Sequence, residues 1–181
     1  MTGLTARDVL SPRELTTIKG ESVSVPDPDR LVHLQFRRYA GCPVCNLHLR
    51  SFAARHGELL AAGIREVAVF HSRRETMLDF QGQLPFGAVA DPRRTLYAEF
   101  GADRQISPLA ALDPRSWRAA GRALSRAPSL RGAAGRGERH VGLPADFLIG
   151  RGGQILAVKY GRRVDDHWSV DDLLALARSV S

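Results

Sequence analysis

The chain has 181 residues, 44% of them hydrophobic and 25% charged, enough for one domain with a real core. Two cysteines are too few for a disulfide-stapled secreted scaffold. The net charge of +7 is almost all arginine, and no basic run is interleaved with aromatics as a nucleic-acid stacking platform requires. Residues 1–8 hold no apolar h-region and no apolar run approaches a membrane span, so the expectation is a cytoplasmic protein with no nucleic-acid and no membrane partner.

Thr16-Thr17-Ile18 and Val23-Ser24-Val25 alternate around Lys19-Gly20-Glu21-Ser22, which predicts an N-terminal β-hairpin. Pro26-Asp27-Pro28-Asp29 reads as a turn and Leu31–Phe36 as a central strand. Apolar residues from Leu47 to Leu60 recur at helical spacing until Gly63, and Ile64–Phe70 reads as a strand buried on both faces. Ser72-Arg73-Arg74-Glu75 spells a capping box before Met77, Leu78 and Phe80. Phe86–Ala90 is a short strand, and Asp91-Pro92 suits the N-cap and first position of a helix that Gly101 stops. Phe147–Ile149 and Ile155–Val158 form a hairpin around Gly150-Arg151-Gly152-Gly153, and Ser169 caps a last helix.

An arginine-rich stretch stands apart. Arg115, Arg118, Arg122 and Arg126 share one helical face, and the segment from about 104 to 141 reads as an insertion into one domain spanning 1–181. It is read as a solvated helix and loop, with a lid or an anionic docking surface as the alternative. The element order predicts an α/β fold, a thioredoxin-like sandwich whose central mixed β-sheet carries helices on both faces.

The chemistry concentrates in Gly41-Cys42-Pro43-Val44-Cys45, where a strand runs into a helix. A thiol at a helix N-terminus faces unpaired N–H groups, which favour the thiolate, and a second thiol one turn on can close a small disulfide. Strand alternation lets only one of Arg37 and Arg38 turn toward the sulfur; Arg38 is favoured. Cys42, Cys45 and His48 could be three metal ligands, but a structural zinc site wants four and no second cysteine pair exists, so neither metal nor cofactor is expected. Two incidental core thiols are the other alternative. His71 sits at the C-terminal end of a parallel strand, where such sheets place ligands, as a proton shuttle or pocket wall or as a structural histidine. Asp146 is read as a solvent-facing carboxylate, with a base near the second cysteine as the alternative. Trp168 is read as a packing residue, and His33, His48, His56 and His140 as surface or helix-face residues.

From about Glu14 to its C-terminus the chain resembles the peroxiredoxin-like proteins of the AhpC/TSA (alkyl hydroperoxide reductase/thiol-specific antioxidant) family, in the thioredoxin-fold superfamily. The residues that carry the resemblance are Phe36–Cys45, Val67–Ser72, Ala90-Asp91-Pro92 through Gly101, and Leu143–Ile149. It is most similar to the branch with a CxxC, which includes the prostamide/prostaglandin F synthases. Peroxiredoxins show PxxxTxxC around the peroxidatic cysteine; matched to it, Cys45 takes that position, Cys42 replaces the Thr and Arg38 the Pro. Pro144 stands where they carry an Arg. A CxxC with a Pro before the late strand resembles thioredoxin, which implies a cis Leu143–Pro144 bond facing the disulfide.

The resemblance implies a thiol oxidoreductase that reduces peroxides or disulfides by cycling Cys42 and Cys45 between dithiol and disulfide. Arg38, Gly41, Pro43, Pro144 and His71 would form the thiolate's surroundings. The expected partners are a peroxide or disulfide substrate and a thioredoxin-like or low-molecular-weight thiol reductant, with a homodimer as an option. An exposed Cys42 would attack first in the thioredoxin order and Cys45 in the peroxiredoxin order. Alternatives are a prostamide-synthase-like reductase of a lipid endoperoxide, with an apolar pocket of Phe36, Phe70 and Phe147 beside the thiols, and a non-catalytic redox-sensing or metal-binding CxxC module.

Overall fold

The computed structural model describes residues 3–105 and 142–180, together with Pro114, Arg118, Gly121, Arg122 and Ser125. The predicted arginine-rich helix face lies outside the described residues except for Arg118 and Arg122, both exposed. No helix among the described residues is long and apolar enough to cross a membrane.

The hairpin pairs β1 (Arg13–Thr16) with β2 (Ser22–Val25). Strand β1 begins before Thr16, and Thr17 and Ile18 fall in the turn, where Gly20 takes the left-handed φ of 89° that the reversal needs. The main sheet holds β3 (Leu31–Phe36), β4 (Ile64–Phe70), β5 (Gly87–Ala90), β6 (Ala145–Ile149) and β7 (Ile155–Tyr160) in the order β5-β4-β3-β6-β7. Strands β3, β4 and β5 run parallel, and β6 and β7 return antiparallel. This is the mixed sheet of a thioredoxin-like fold.

Strand alternation divides the core in two. Val32, Leu34, Phe36, Val67, Val69, Phe147 and Ile149 face one cluster with the hairpin and the helix α4 (Thr95–Glu99). Ala68, Phe70 and Leu148 face the other, under α1 (Pro43–Ala54), α2 (His56–Ala61), α3 (Arg74–Gln81) and α5 (Val170–Val180). The central strands β3 and β4 are covered on both faces, as the charge-poor run of β4 requires.

Three local expectations are corrected. The helix predicted through Leu60 breaks at Arg55, whose φ of −114° leaves the α region and whose guanidinium holds Glu58 and Asp171 instead. Ser72 does not cap α3; its Oγ accepts the Ala40 N–H at 2.8 Å. Asp91 is not the N-cap residue of α4, since Arg94 takes that place at φ 60°. The Asp91 carboxylate nevertheless caps the helix from upstream, accepting from the N–H groups of Thr95 (3.0 Å), Leu96 (2.8 Å) and Tyr97 (3.2 Å). Asp91→Ala should therefore cost about 1–2 kcal/mol in guanidinium unfolding; an unchanged midpoint would show the cap to be idle.

Candidate functional site

Strand β3 ends at Phe36, and the Arg37 N–H still bonds Val69 O at 2.8 Å, so the chain leaves the sheet in register. A tight turn follows in which the Cys42 N–H bonds Tyr39 O at 3.0 Å. Cys42 is the N-cap of α1 and Pro43 opens the helix, where its fixed φ fits and its missing N–H costs nothing. The turn is pinned from three sides. Ser72 takes the Ala40 N–H, while Asn46 and Gln81 each donate to Ala40 O at 2.9 Å.

The Cys42 Sγ accepts the Cys45 N–H at 3.4 Å, and the Cys45 thiol donates to it across 2.8 Å. Arg38 Nη1 lies 3.7 Å from the same sulfur. No acidic residue stands in the first turn of α1 to oppose an anion there. Burial raises the Cys42 pKa. The Cys45 thiol, the Arg38 charge and the N–H groups of Cys45 and Val44 outweigh it and pull Cys42 down to about 7. Burial and the neighbouring Cys42 push the Cys45 thiol well up. When the pair gives up one proton, Cys42 is the sulfur favoured to carry the charge and Cys45 the one favoured to keep its proton.

The expectation of an exposed first cysteine is corrected: Cys42 is 0% and Cys45 3% exposed. Arg38, whose guanidinium lies over the Tyr39 ring at 5.5 Å, reaches the Cys42 sulfur. Gly41 is buried in the turn and Pro43 half-buried. His71 is buried, its ring 5.9 Å from that of Tyr97. Pro144 is buried, but the bond before it is not cis; the cis bond among the described residues is Val25–Pro26. Ahead of β6, Gly142 bridges Gln105 and the Leu143 N–H bonds Arg104 O at 3.0 Å. The pocket of three phenylalanines is also corrected. Phe36 and Phe147 pack in one core and Phe70 in the other, all 0% exposed.

The sequence reading missed a second constellation. His33 and Gln35 on β3, Glu66 on β4 and Asp146 on β6 share the sheet face under α1 and α5, and all are buried with Arg37. Their side chains close a ring. His33 Nδ1 meets Glu66 Oε2 at 2.7 Å, and the same oxygen accepts Gln35 Nε2 at 2.7 Å. Gln35 Oε1 accepts Arg37 Nε at 2.9 Å, Arg37 Nη2 reaches Asp146 Oδ1 at 2.5 Å, and that oxygen meets His33 Nε2 at 3.1 Å. Arg37 Nη2 also bonds His48 Nε2 at 2.9 Å, so His48 is engaged by the ring rather than by the sulfurs. His33, His48 and Asp146 are thus core groups, not the surface groups expected. In a central strand under helices, the polar half of an alternating pattern must pair internally instead of meeting water. That internal polar half was the signal available in the sequence.

Burial opposes the His33 charge, but Glu66 and Asp146 win and raise its pKa to about 9. Burial would raise Asp146, and Arg37 and His33 instead hold it well below the carboxylate range. Burial and the Arg37 charge keep His48 neutral, with a pKa far below the usual 6.5. His167, its ring 3.7 Å from that of His48, is lowered to about 4 by burial and Arg37.

A mixed five-stranded sheet with a dithiol at the head of its first long helix defines a thioredoxin-like redox protein by architecture. The chain belongs to the AhpC/TSA antioxidant enzyme family, whose sequence model matches residues 51–163. The matched stretch begins beyond Cys45. Peroxidoxin BcpB from Mycobacterium tuberculosis is similar at 18% identity and TM-score 0.70, covering 98% of this chain and 99% of that one. Peroxiredoxin Q from Xanthomonas campestris has 15% identity and TM-score 0.67, covering 97% of each chain. A putative thiol:disulfide interchange protein DsbE from Chlorobium tepidum has 19% identity and TM-score 0.60, covering 97% of this chain and 99% of that one. These structures share the fold. No curated protein matches the chain in sequence.

The raised His33 pKa makes a stability prediction. The stabilisation it reflects is complete below pH 6.5 and is lost as pH rises through 9. Cys42 titrates with the opposite sign, so the comparison belongs in a Cys42→Ser background. Urea unfolding of that protein with and without His33→Gln should show a gap that narrows by about 2–3 kcal/mol between about pH 6 and pH 10. A gap independent of pH would mean that His33 is not charged in the fold.

Proposed function

We propose that the chain is a thiol peroxidase that uses Cys42 as its nucleophile and Cys45 as its resolving thiol. The observation that carries this reading is the single Cys42 sulfur receiving the Cys45 S–H, the Cys45 N–H and the Arg38 guanidinium together, in a member of an antioxidant enzyme family. The Cys42 thiolate attacks one oxygen of a hydroperoxide and the O–O bond breaks. Cys42 becomes a sulfenic acid, and the leaving alkoxide takes the Cys45 proton to depart as an alcohol. The Cys45 thiolate so formed attacks the Cys42 sulfur, expels hydroxide and closes the disulfide. Two electrons pass from the dithiol to the peroxide. A thioredoxin-like or low-molecular-weight thiol returns them by attack on the disulfide.

The sealed sulfurs favour a small hydroperoxide over a protein disulfide as substrate. A small peroxide asks for less opening at the buried sulfurs than a protein disulfide does, and a thioredoxin-like donor can attack only once the oxidised pair comes to the surface. The lipid-endoperoxide reading stands behind this one, since Phe36 and Phe147 pack in one core and Phe70 in the other.

Peroxide consumption, measured with hydrogen peroxide and a small alkyl hydroperoxide under a thioredoxin donor, should fall to background in Cys42→Ser. Cys45→Ser should instead complete one turnover and hold a Cys42 sulfenic acid that dimedone traps. Alkylation of wild-type Cys42 should titrate with a midpoint near 7. Arg38→Met should be about fivefold slower at pH 7, the loss of thiolate that a rise of about one pH unit in that midpoint produces. Peroxide turnover surviving in Cys42→Ser would assign the attack to Cys45. Insulin reduction without peroxide turnover would make the protein a disulfide reductase.

A further inference from the structure

The ring of His33, Glu66, Gln35, Arg37 and Asp146 has no part in the chemistry above, and its construction asks for another role. It encloses two cations and two anions, so it is neutral overall, and every member is at most 1% exposed. Networks of this kind are seldom more stable than apolar residues of the same volume, because desolvating the ions costs about what their attraction returns. Glu66 Oε1 and Asp146 Oδ2 also lie buried without a hydrogen-bond partner. What the ring does secure is geometry, and Arg37 is where it meets the thiol site.

The Arg37 guanidinium is clamped by Gln35 and Asp146 below and gripped by His48 Nε2 above. His48 lies on α1 one turn beyond Cys45, so this bond ties the polar centre of the sheet to the helix that carries both sulfurs. The Arg37 backbone is held independently, with its N–H on Val69 O and its carbonyl accepting the Tyr97 hydroxyl. The next residue is Arg38, whose guanidinium lies on Cys42. His48 can accept from Arg37 only as neutral imidazole, and burial beside that cation keeps it so.

We propose that the ring is a positioning device for the Cys42–Cys45 pair, acting through the Arg37–His48 bond to fix the head of α1 and the Arg38 guanidinium around the Cys42 sulfur. Arg37 and His48 are then positioning residues, because neither touches the reacting atoms. The inference rests on Cys42 being the nucleophile. Its test reads the thiol directly, so it succeeds or fails separately from peroxide turnover.

The experiment follows the rate of Cys42 alkylation by iodoacetamide against pH in the full chain, with Cys45 present. Arg38 and Tyr97 face the thiol pair, and Arg37, His33 and His167 face His48; none of them is substituted where His48 is varied. His48→Leu removes the acceptor from Arg37 and adds no charge. It should move the alkylation midpoint up by about half a pH unit, about threefold less thiolate in the acid limb. His48→Gln, which restores an acceptor oxygen, should return most of that shift. Gln35→Leu opens the ring at a different point and should move the midpoint the same way; it decides the matter if His48→Leu does not fold by far-UV circular dichroism. Folded variants with wild-type midpoints would reduce the ring to a core network with no bearing on the thiols. Equal shifts in His48→Leu and His48→Gln would likewise overturn the bond as the connection.

Discussion

A sulfur poised to ionise while sealed from water is the constraint on which this structure turns. Burial alone would neutralise Cys42, and a neutral thiol is a poor nucleophile. The chain meets the cost with several small donations converging on one atom. Two come from the first turn of α1, one from the Cys45 thiol and one from Arg38. None of these is strong alone. They act together because the turn from Tyr39 to Cys42 is fixed from outside by Ser72, Asn46 and Gln81. A loop free to relax would surrender the convergence first, since the donors come from the loop and from the helix it feeds.

Strand β3 serves the site with both of its faces. Its apolar side chains, Val32, Leu34 and Phe36, build the core under the hairpin and α4. Its polar ones, His33 and Gln35, begin the ring that ends at Arg37. The alternation that makes a strand half-polar ordinarily signals a wet face. Here α1 and α5 cover that face, and water is replaced by Glu66 and Asp146 from the two neighbouring strands. The same alternation then separates Arg37 from Arg38, one guanidinium directed into the sheet's polar centre and the other onto the sulfur.

The sheet could be read from the sequence almost strand by strand, because β3, β4 and the β6–β7 hairpin carry strong periodic or continuous apolar signals bounded by glycine and proline. The placing of a CxxC at a strand-to-helix junction was legible for the same reason. Helix ends were less so. Ser72 and Asp91 are good capping residues by type, yet one bonds a distant loop and the other caps from upstream, choices that tertiary neighbours make. The buried ring was misread because local pattern does not say whether a helix lies over a polar face. Pro144 was read by analogy with thioredoxin rather than from a local pattern, and the bond before it is not cis.

The position of the charge also bears on how this chain relates to its family. Matched to the peroxiredoxin motif, Cys45 stands at the attacking position and Cys42 replaces a threonine. Two sulfurs 2.8 Å apart in a dry site cannot both ionise, so the surroundings choose one. At the N-cap the sulfur meets the open N–H groups of the first turn, whereas one turn inside the helix those groups are already spent on backbone carbonyls. With a cysteine at the cap, the first position of the pair is the one where the anion is favoured. The displaced thiol becomes a proton donor at contact distance. With Cys42 as the proposed nucleophile, the proposed order of attack is the thioredoxin-like one, carried on the mixed sheet that the chain shares with peroxiredoxins.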